Sequence, residues 1–248
     1  ADSGALAALR EWKVRLFEEH PPATLAIASP YCLPKGAMTV GDFYRQLIGV
    51  PHLPQTIGEW TRVPEENFAL AVNGEVFYDG AGEFTQLRNS LLDYYPEDIR
   101  RKRMAAACMK IAQSGQYNHL RMARRGDWVA VRLTLARFSE AALSLAFMLN
   151  KVYQPYYKWS YRRLGELPLL AQQLASPLKR LALAADFSEA ALKEQQQQID
   201  AICVALITEI RRQGLAESDD PFMVAQGEEI QQSIHNEGLR QLPAQYEL

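Results

Sequence analysis

The stretch DWVAVRLTLARFSEAALSLAFMLN, residues 127–150, decides the fold class of this chain. It contains no glycine or proline, and as an α-helix its roughly 24 residues would span about 36 Å. Apolar residues recur three and four positions apart, namely Trp128, Val131, Leu135, Phe138, Ala142, Leu145 and Leu149. A second apolar edge contains Leu133, Leu143 and Phe147. The pattern predicts a long helix, capped by Asp127, that packs against at least one partner helix and, given the second edge, two.

Helical patterns continue on both sides of this stretch. Pro96 is predicted to start a helix that Gly115 stops, and a further helix is predicted over residues 188–213, followed by Gly214. Its glutamine run, residues 195–198, is interpreted as a polar helix face, and a last helix is predicted from residue 220 to about 236. The expected fold class is therefore mainly α, a helical bundle with long antiparallel helices.

Residues 1–63 are expected to form a separate, smaller part before a bundle domain of residues 64–248. The first 20 residues are predicted to form a helix, and residues 24–28 are the best strand candidate because prolines bound them. Six prolines lie in or beside residues 30–63, which predicts a winding connection with one short helix over residues 42–48, stopped by Gly49.

The pair Asn73-Gly74 fits two structures. Between apolar runs, Asn-Gly is a strong hairpin signal. However, Pro64 followed by two glutamates is typical of the first turn of a helix, with proline as its first residue, and Gly74 would then be the left-handed cap. Phe68, Ala71 and Val72 fall at helical spacing, which favours the helix.

Composition bounds the class of protein. The chain has 248 residues and a net charge of −2, with no apolar run long enough to cross a membrane. Its first residues, with no basic start and no apolar run, are not expected to be a signal peptide. The missing initiating methionine suggests that something upstream was removed or is not included. Three distant cysteines, Cys32, Cys108 and Cys203, form no C-x-x-C pair, so the cytoplasm is the expected compartment.

Charge is distributed unevenly. Residues 96–125 contain eight basic and two acidic side chains, whereas residues 186–248 contain four basic and twelve acidic ones. Such a chain can focus an anion on one face, although these charges also suit two opposite solvated helix surfaces. P-loop and Rossmann glycine motifs, a nucleophile elbow and metal-ligand histidine spacing are absent from the sequence.

Three groups of residues are candidates for a site. Glu75, Asp79 and Glu83 are either Mg²⁺ ligands or helix caps, and we favour caps. Arg103, Lys110 and Arg121 either meet a phosphate or form a solvated face paired with Glu97 and nearby acids. The third group, residues 153–163, interleaves tyrosines and Trp159 with basic side chains; such a segment can stack a base, but packing as an aromatic corner is favoured. Beyond Gly115, the polar residues of the turn at 114–118 exceed what a helix stop requires.

Several blocks occur in a specific order: GDFY (41–44), NGEVFYD (73–79), GEF (82–84), YPEDIR (95–100), AQSGQYN (112–118), LNK (149–151), PYYKW (155–159) and LPLL (167–170). Together, over residues 38–240, they make the chain resemble the C-terminal helical domain, of unknown function, of a bacterial family of nucleotidyltransferase-like proteins. The resemblance implies an α/β nucleotidyltransferase fold before the bundle, with a Gly-Ser turn and an Asp-x-Asp pair that hold Mg²⁺ and a nucleotide. This chain has no such motif; its nearest pairing is Glu217-Ser218-Asp219.

The first functional hypothesis is therefore the helical, substrate-facing part of a nucleotidyltransferase that transfers a nucleotidyl group to an unknown hydroxyl acceptor. Mg²⁺ with a nucleoside triphosphate is its expected cofactor, held by residues outside this chain, and residues 1–63 contain a strand-bearing remnant of the catalytic fold. The alternative is a non-catalytic module that recognises a protein or small ligand near Tyr117, Tyr157 and Lys158. The expected binding residues are Glu75, Asp79, Arg103, Tyr117, Asn118, Tyr157 and Lys158, with none assigned to metal binding. Expected partners are a nucleotide and the acceptor, with a homodimer as an option; nucleic acid is not favoured and a membrane is not expected.

Overall fold

A computed structural model describes residues 4, 7, 8, 11 and 37–248 of this chain. The predicted strand over residues 24–28 and most of the predicted helix over residues 1–20 lie outside the described residues. Over the described ranges the protein is mainly helical, as predicted, and has no strand. It divides into two compact units, Ala1–Asp93 and Tyr94–Leu248. The domain boundary expected after residue 63 stays a prediction.

The described helices of the first unit are short. They are α1 (Val40–Ile48), α2 (Ile57–Thr61), α3 (Glu65–Ala71) and α4 (Glu83–Leu92). Thr39 caps α1 by accepting a hydrogen bond from the amide of Asp42 at 3.0 Å, and Gly49 ends it with a φ of 78°. The helix predicted over residues 42–48 is thus confirmed and begins two residues earlier than expected, at the threonine cap.

The helical interpretation of the Asn73-Gly74 region is confirmed. α3 ends at Ala71 and its C-cap is Val72, so the prediction of Gly74 as the cap was wrong. Gly74 lies in the turn beyond the cap, with a φ of 79°, which a residue with a side chain rarely adopts. Arg88 closes the turn, since its Nη2 donates to the carbonyls of Val72 at 2.7 Å and Gly74 at 2.8 Å. Pro64 lies at the N-cap and not at the first helical position, so that detail of the prediction was wrong.

The second unit is the larger helical assembly. Its elements are α5 (Glu97–Ile111), a π-helical segment (Ala112–Asn118), α6 (His119–Arg124), α7 (Trp128–Leu149), α8 (Tyr157–Leu164), α9 (Ala171–Leu183), α10 (Glu189–Arg212), α11 (Met223–Gln232) and α12 (Glu237–Arg240). Within the described part of the chain, no helix is both long and apolar enough to cross a membrane.

Helix α7 is the centre of this unit, as its sequence predicted. Asp127 caps it by accepting from the amide of Ala130 at 3.0 Å. Apart from Trp128, its apolar stripe is buried, and the helix packs against α5, α6, α8, α9 and α10 as well as the π-helical segment. Trp128 is instead partly exposed and stacks on Phe187, with ring centroids 5.0 Å apart. The prediction of more than one packing partner is confirmed.

Gly115 does not stop the helix that begins after Pro96, so this prediction was wrong. The chain passes through Gly115 in the π-helical segment and continues directly into α6. A π-turn widens the helix and is common at functional sites. Glycine is present because a Cβ at position 115 would lie 2.7 Å from Cε2 of Phe138 and closer still to Cδ2. The requirement is thus close approach to α7, not helix termination.

Two smaller predictions also need correction. Gln195 is buried, so the glutamine run on α10 is not a uniformly polar face. The last predicted helix begins only at Met223, because the Asp220 carboxylate accepts from the amide of Phe222 at 2.8 Å and holds that turn outside the helix. It ends at Gln232, and α12 follows as a separate short helix.

Candidate ligand-binding cleft

A cleft of about 770 Å³ opens beside the π-helical segment in the unit Tyr94–Leu248. The π-helical segment lines it with Gln113, Ser114, Tyr117 and Asn118, and α7 lines it with Thr134, Arg137 and Glu140. Ala106, Met109 and Lys110 of α5 contribute a third side. The cleft is thus lined by the π-helical segment and α7, which approach each other closely where Gly115 lies against Phe138.

Apolar and polar groups share this cleft. Phe222 and Val224, at the start of α11, add apolar surface to the cleft. Gln116 joins the two elements: its Nε2 donates to the carbonyl of Pro221 at 2.6 Å, and its Oε1 accepts from the amide of Met223 at 2.9 Å. Such a mixture of apolar wall and a few fixed polar groups is typical of small-molecule sites.

The two basic residues of the cleft, Lys110 and Arg137, differ in their contacts. Lys110 Nζ lies 3.1 Å from Oε1 of Glu247 and 4.0 Å from Oε2 of Glu140. Arg137 also lines the cleft, is exposed, and makes no ion pair or hydrogen bond with the residues that the structure describes. One cation is thus already paired and the other is available to an anion from solution.

Tyr117 lines the cleft and is 54% exposed. Arg121, one helical turn further on, donates a hydrogen bond to the Tyr117 hydroxyl, and its guanidinium carbon lies 5.1 Å from the ring centroid. This contact restricts the ring and leaves it accessible. A cleft that contains both a restrained, exposed aromatic ring and a guanidinium with no ion pair among the described residues is suited to a ligand with a planar ring and a negative charge.

A buried lysine holds the backbone of the segment that contributes Gln245 and Glu247 to the cleft. Lys102 has no exposed surface, and its Nζ donates to the carbonyls of Pro243 and Ala244 at 3.0 Å and of Tyr246 at 2.7 Å. Burial lowers the pKa of Lys102 to about 8. The three carbonyls hold residues 243–246 on α5, so that Gln245 and Glu247 reach the cleft.

Of the three candidate acidic residues in the first unit, Asp79 is held by hydrogen bonds, whereas Glu75 and Glu83 are exposed. Both carboxylate oxygens of Asp79 accept backbone hydrogen bonds at the start of α4, from Gly82 at 3.0 Å and from Thr85 at 2.7 Å. These hydrogen bonds lower the pKa of Asp79, and the hydrogen bond from the Thr85 amide is the largest cause. The cap interpretation fits Asp79, and no described group of three acidic, histidine or cysteine side chains is placed to hold a metal. The described residues therefore do not fit a Mg²⁺ site.

The remaining predicted residues do not all gather in one place. Tyr117 and Asn118 line the cleft together with Lys110. Arg103 lies over the ring of Tyr95, with its guanidinium carbon 4.6 Å from the centroid, and does not line the cleft.

Tyr157 and Lys158 also lie outside the cleft, on α8. Lys158 Nζ is 5.8 Å from the ring centroid of Tyr156 and 5.6 Å from that of Trp159. Tyr157 is 70% exposed, so packing in the core does not explain it, whereas Tyr153 is only 5% exposed and belongs to the core. The aromatic segment 153–163 therefore begins with a core residue, Tyr153, and exposes Tyr157 and Trp159 on the surface.

Sequence reasoning missed Arg137, Glu140 and Glu247 as cleft residues. A signal for the first two was present, because Thr134, Arg137 and Glu140 recur every three residues and so lie along one side of α7. Glu247 carried no local signal, since it reaches the cleft only through the contacts of Lys102 with the backbone around it.

Of three comparisons with known proteins, one finds a match, and that match covers part of the chain. No curated protein and no solved structure matches the chain. Residues 60–160 match the model of a family described as Domain of unknown function (DUF4037). The matched region includes the π-helical segment, Lys110, Arg137 and Glu140, and over this region the chain is similar to that family.

Proposed function

We propose that the unit Tyr94–Leu248 binds a nucleotide-like ligand in the cleft beside the π-helical segment. The observation that carries this proposal is that one cleft is lined both by the exposed guanidinium of Arg137, which has no ion pair with the described residues, and by the exposed ring of Tyr117. Arginine suits phosphate oxygens because its fork of N–H groups matches them in two parallel hydrogen bonds.

The rest of the cleft supports the same ligand class. Gln113 and Asn118 offer amide donors and acceptors that can pair with the edge of a base, and Phe222 and Tyr117 offer surfaces on which a base can lie. A volume of about 770 Å³ is within the range of sites for molecules of nucleotide size.

At the level of the whole protein, we propose the helical, substrate-facing part of a nucleotidyltransferase that acts on an unknown hydroxyl acceptor. The ordered sequence blocks support this, and residues 1–63 would be a remnant of the α/β fold. Magnesium ligands would have to come from residues other than those described, so no catalytic step is assigned to this chain. A cytoplasmic location is part of the proposal, because cysteines without a pairing pattern suit a reducing compartment.

Calorimetry with the full chain tests the binding proposal. ATP, GTP, CTP and UTP are titrated separately, with and without Mg²⁺. We expect at least one nucleotide to bind with a micromolar dissociation constant. Absence of measurable heat with all four nucleotides, in both conditions, would sink the proposal.

The exposed aromatic surface of α8 favours a second candidate, a non-catalytic module that captures a protein or small ligand. Tyr157 and Trp159 are 70% and 50% exposed, respectively, which a purely structural role does not require. Tyr157→Ala is expected to change the free energy of unfolding by no more than ~0.5 kcal/mol, because the side chain buries little surface. Tyr153→Ala, the matched core variant, is expected to cost about 3–5 kcal/mol in a urea titration. Equal losses for the two variants would show that α8 uses Tyr157 for packing.

A further inference from the structure

The contact between Glu247 and Lys110 places a carboxylate where an anionic ligand would bind. Both residues line the cleft, and their charged atoms are 3.1 Å apart. The Lys110 side chain is 33% exposed and that of Glu247 is 64% exposed, so water and solutes reach the pair. The Glu247 carboxylate therefore forms with the Lys110 ammonium group the ion pair that a phosphate oxygen would otherwise form.

The backbone next to Glu247 is held firmly, whereas the Glu247 side chain is held weakly. Lys102 is fully buried and holds the carbonyls of Pro243, Ala244 and Tyr246, and its burial makes those hydrogen bonds costly to break. By contrast, an exposed ion pair such as Glu247 with Lys110 contributes little. A competing anion would displace the glutamate without detaching the segment.

We propose that residues 243–247 form a strap whose Glu247 carboxylate competes with the anionic ligand for Lys110. This inference rests on the proposed function of the cleft and adds its regulation. While Glu247 is paired with Lys110, the cleft contains two cations, Lys110 and Arg137, and two carboxylates, Glu140 and Glu247. When Glu247 leaves, a net positive charge remains, which attracts a phosphate group.

Two measurements on the full chain test the strap. The first is the rate of Lys110 acetylation by an amine-reactive acetyl ester, followed by peptide mass spectrometry without any ligand. The second is the affinity for ATP and for inorganic tripolyphosphate, measured by calorimetry. Glu247→Gln is compared with wild type and with Glu228→Gln, which removes the same charge from an exposed position that does not line the cleft.

Glu247→Gln is expected to raise the acetylation rate of Lys110 about 2- to 5-fold and to tighten binding of both anions by a similar factor, because the competing pair is exposed. Glu228→Gln is expected to change neither. Tripolyphosphate separates the phosphate contact from any contribution of the base.

Each outcome decides something different. An unchanged acetylation rate in Glu247→Gln overturns the strap, whether or not nucleotides bind. Faster acetylation with ATP affinity unchanged overturns the competition between Glu247 and the ligand. If wild type and both variants bind neither ATP nor tripolyphosphate, the competition fails. The proposed function fails only if GTP, CTP and UTP also give no heat, and the acetylation rate shows separately whether Glu247 covers Lys110.

Discussion

Gly115 in the π-helical segment lies against the ring of Phe138 on α7, so closely that a Cβ at position 115 would be 2.7 Å from Cε2 of that ring. At this contact the π-helical segment and α7, which both line the cleft, approach each other closely. Ser114 and Tyr117 are on one side of it, and Thr134 and Arg137 are on the other. The packing of one glycine on one phenylalanine thus positions the candidate site.

Gly115→Ala is therefore expected to destabilise the protein. The added methyl group must push Phe138, which is fully buried, or the π-helical segment, and overpacking of this kind costs about 1–3 kcal/mol. Urea unfolding measures the loss. Gly165→Ala is the matched control, because the nearest atom to its Cβ, the carbonyl oxygen of Arg162, is at an ordinary 3.5 Å. Equal stability of the Gly115 variant and wild type would contradict this account of the π-turn.

A second prediction concerns Asn150, whose side chain fixes the connection before α9. Its Nδ2 donates to the carbonyls of Ala146 at 2.7 Å and Leu169 at 3.1 Å, and its Oδ1 accepts from the amide of Leu169 at 2.9 Å. The next residue, Leu170, has a φ of 71°, a conformation that disfavours a branched side chain. The amide therefore holds a strained backbone in place.

Asn150→Asp keeps the shape of the side chain but removes both donated hydrogen bonds and places a carboxylate beside two carbonyls. We expect a loss of about 1–3 kcal/mol in the free energy of unfolding at neutral pH. Gln197→Glu, which adds the same charge at an exposed position of α10, is expected to stay within about 0.5 kcal/mol of wild type. If the two variants lose the same stability, the charge alone accounts for the effect.

A third prediction concerns pH. His119 is fully buried, and within the described part of the chain neither ring nitrogen has a hydrogen-bond partner of good geometry; the Gln195 amide is the polar group beside the ring. Burial lowers the pKa of His119 below its ordinary value of 6.5, an effect that the neighbouring Gln195 amide partly opposes. The unfolded chain therefore takes up a proton near pH 6.5 that the folded protein resists.

Because the folded-state pKa is depressed, the contribution of His119 to stability is complete above pH 6.5 and is lost as the pH falls below that value. The slope of unfolding free energy against pH is expected to reach up to about 1.4 kcal/mol per pH unit from this group. His119→Gln should flatten the profile between pH 6.5 and 5, and His52→Gln, at an exposed position, should not. Identical profiles for all three proteins would contradict the prediction.

Local sequence signals were enough to predict the long helices. Asp127 and Ser188 both cap the helices that follow them, and the apolar spacing of α7 identifies most of its buried residues. The signal failed at Gly115, since its role depends on a ring 23 positions away in sequence, and a glycine at the end of an apolar pattern resembles a helix stop.

The candidate site was predictable only in part. Tyr117 and Asn118 were selected because their segment has more polar residues than a turn needs, and both line the cleft. Arg103 was grouped with Lys110 from helical spacing alone, but its contact with Tyr95 directs it elsewhere. Glu247 enters the site through the Lys102 anchor, a tertiary contact that spacing cannot show.

The most direct test of the account is a calorimetric titration of ATP into Arg137→Gln, with Arg211→Gln as the matched control. Arg137 lines the cleft, whereas Arg211 is an exposed arginine of α10 that does not. Loss of a charge-assisted hydrogen bond to phosphate should weaken binding by roughly 10- to 100-fold for Arg137→Gln. The control should bind ATP as wild type does. Equal dissociation constants for the two variants would contradict the assignment of this cleft as the ligand site.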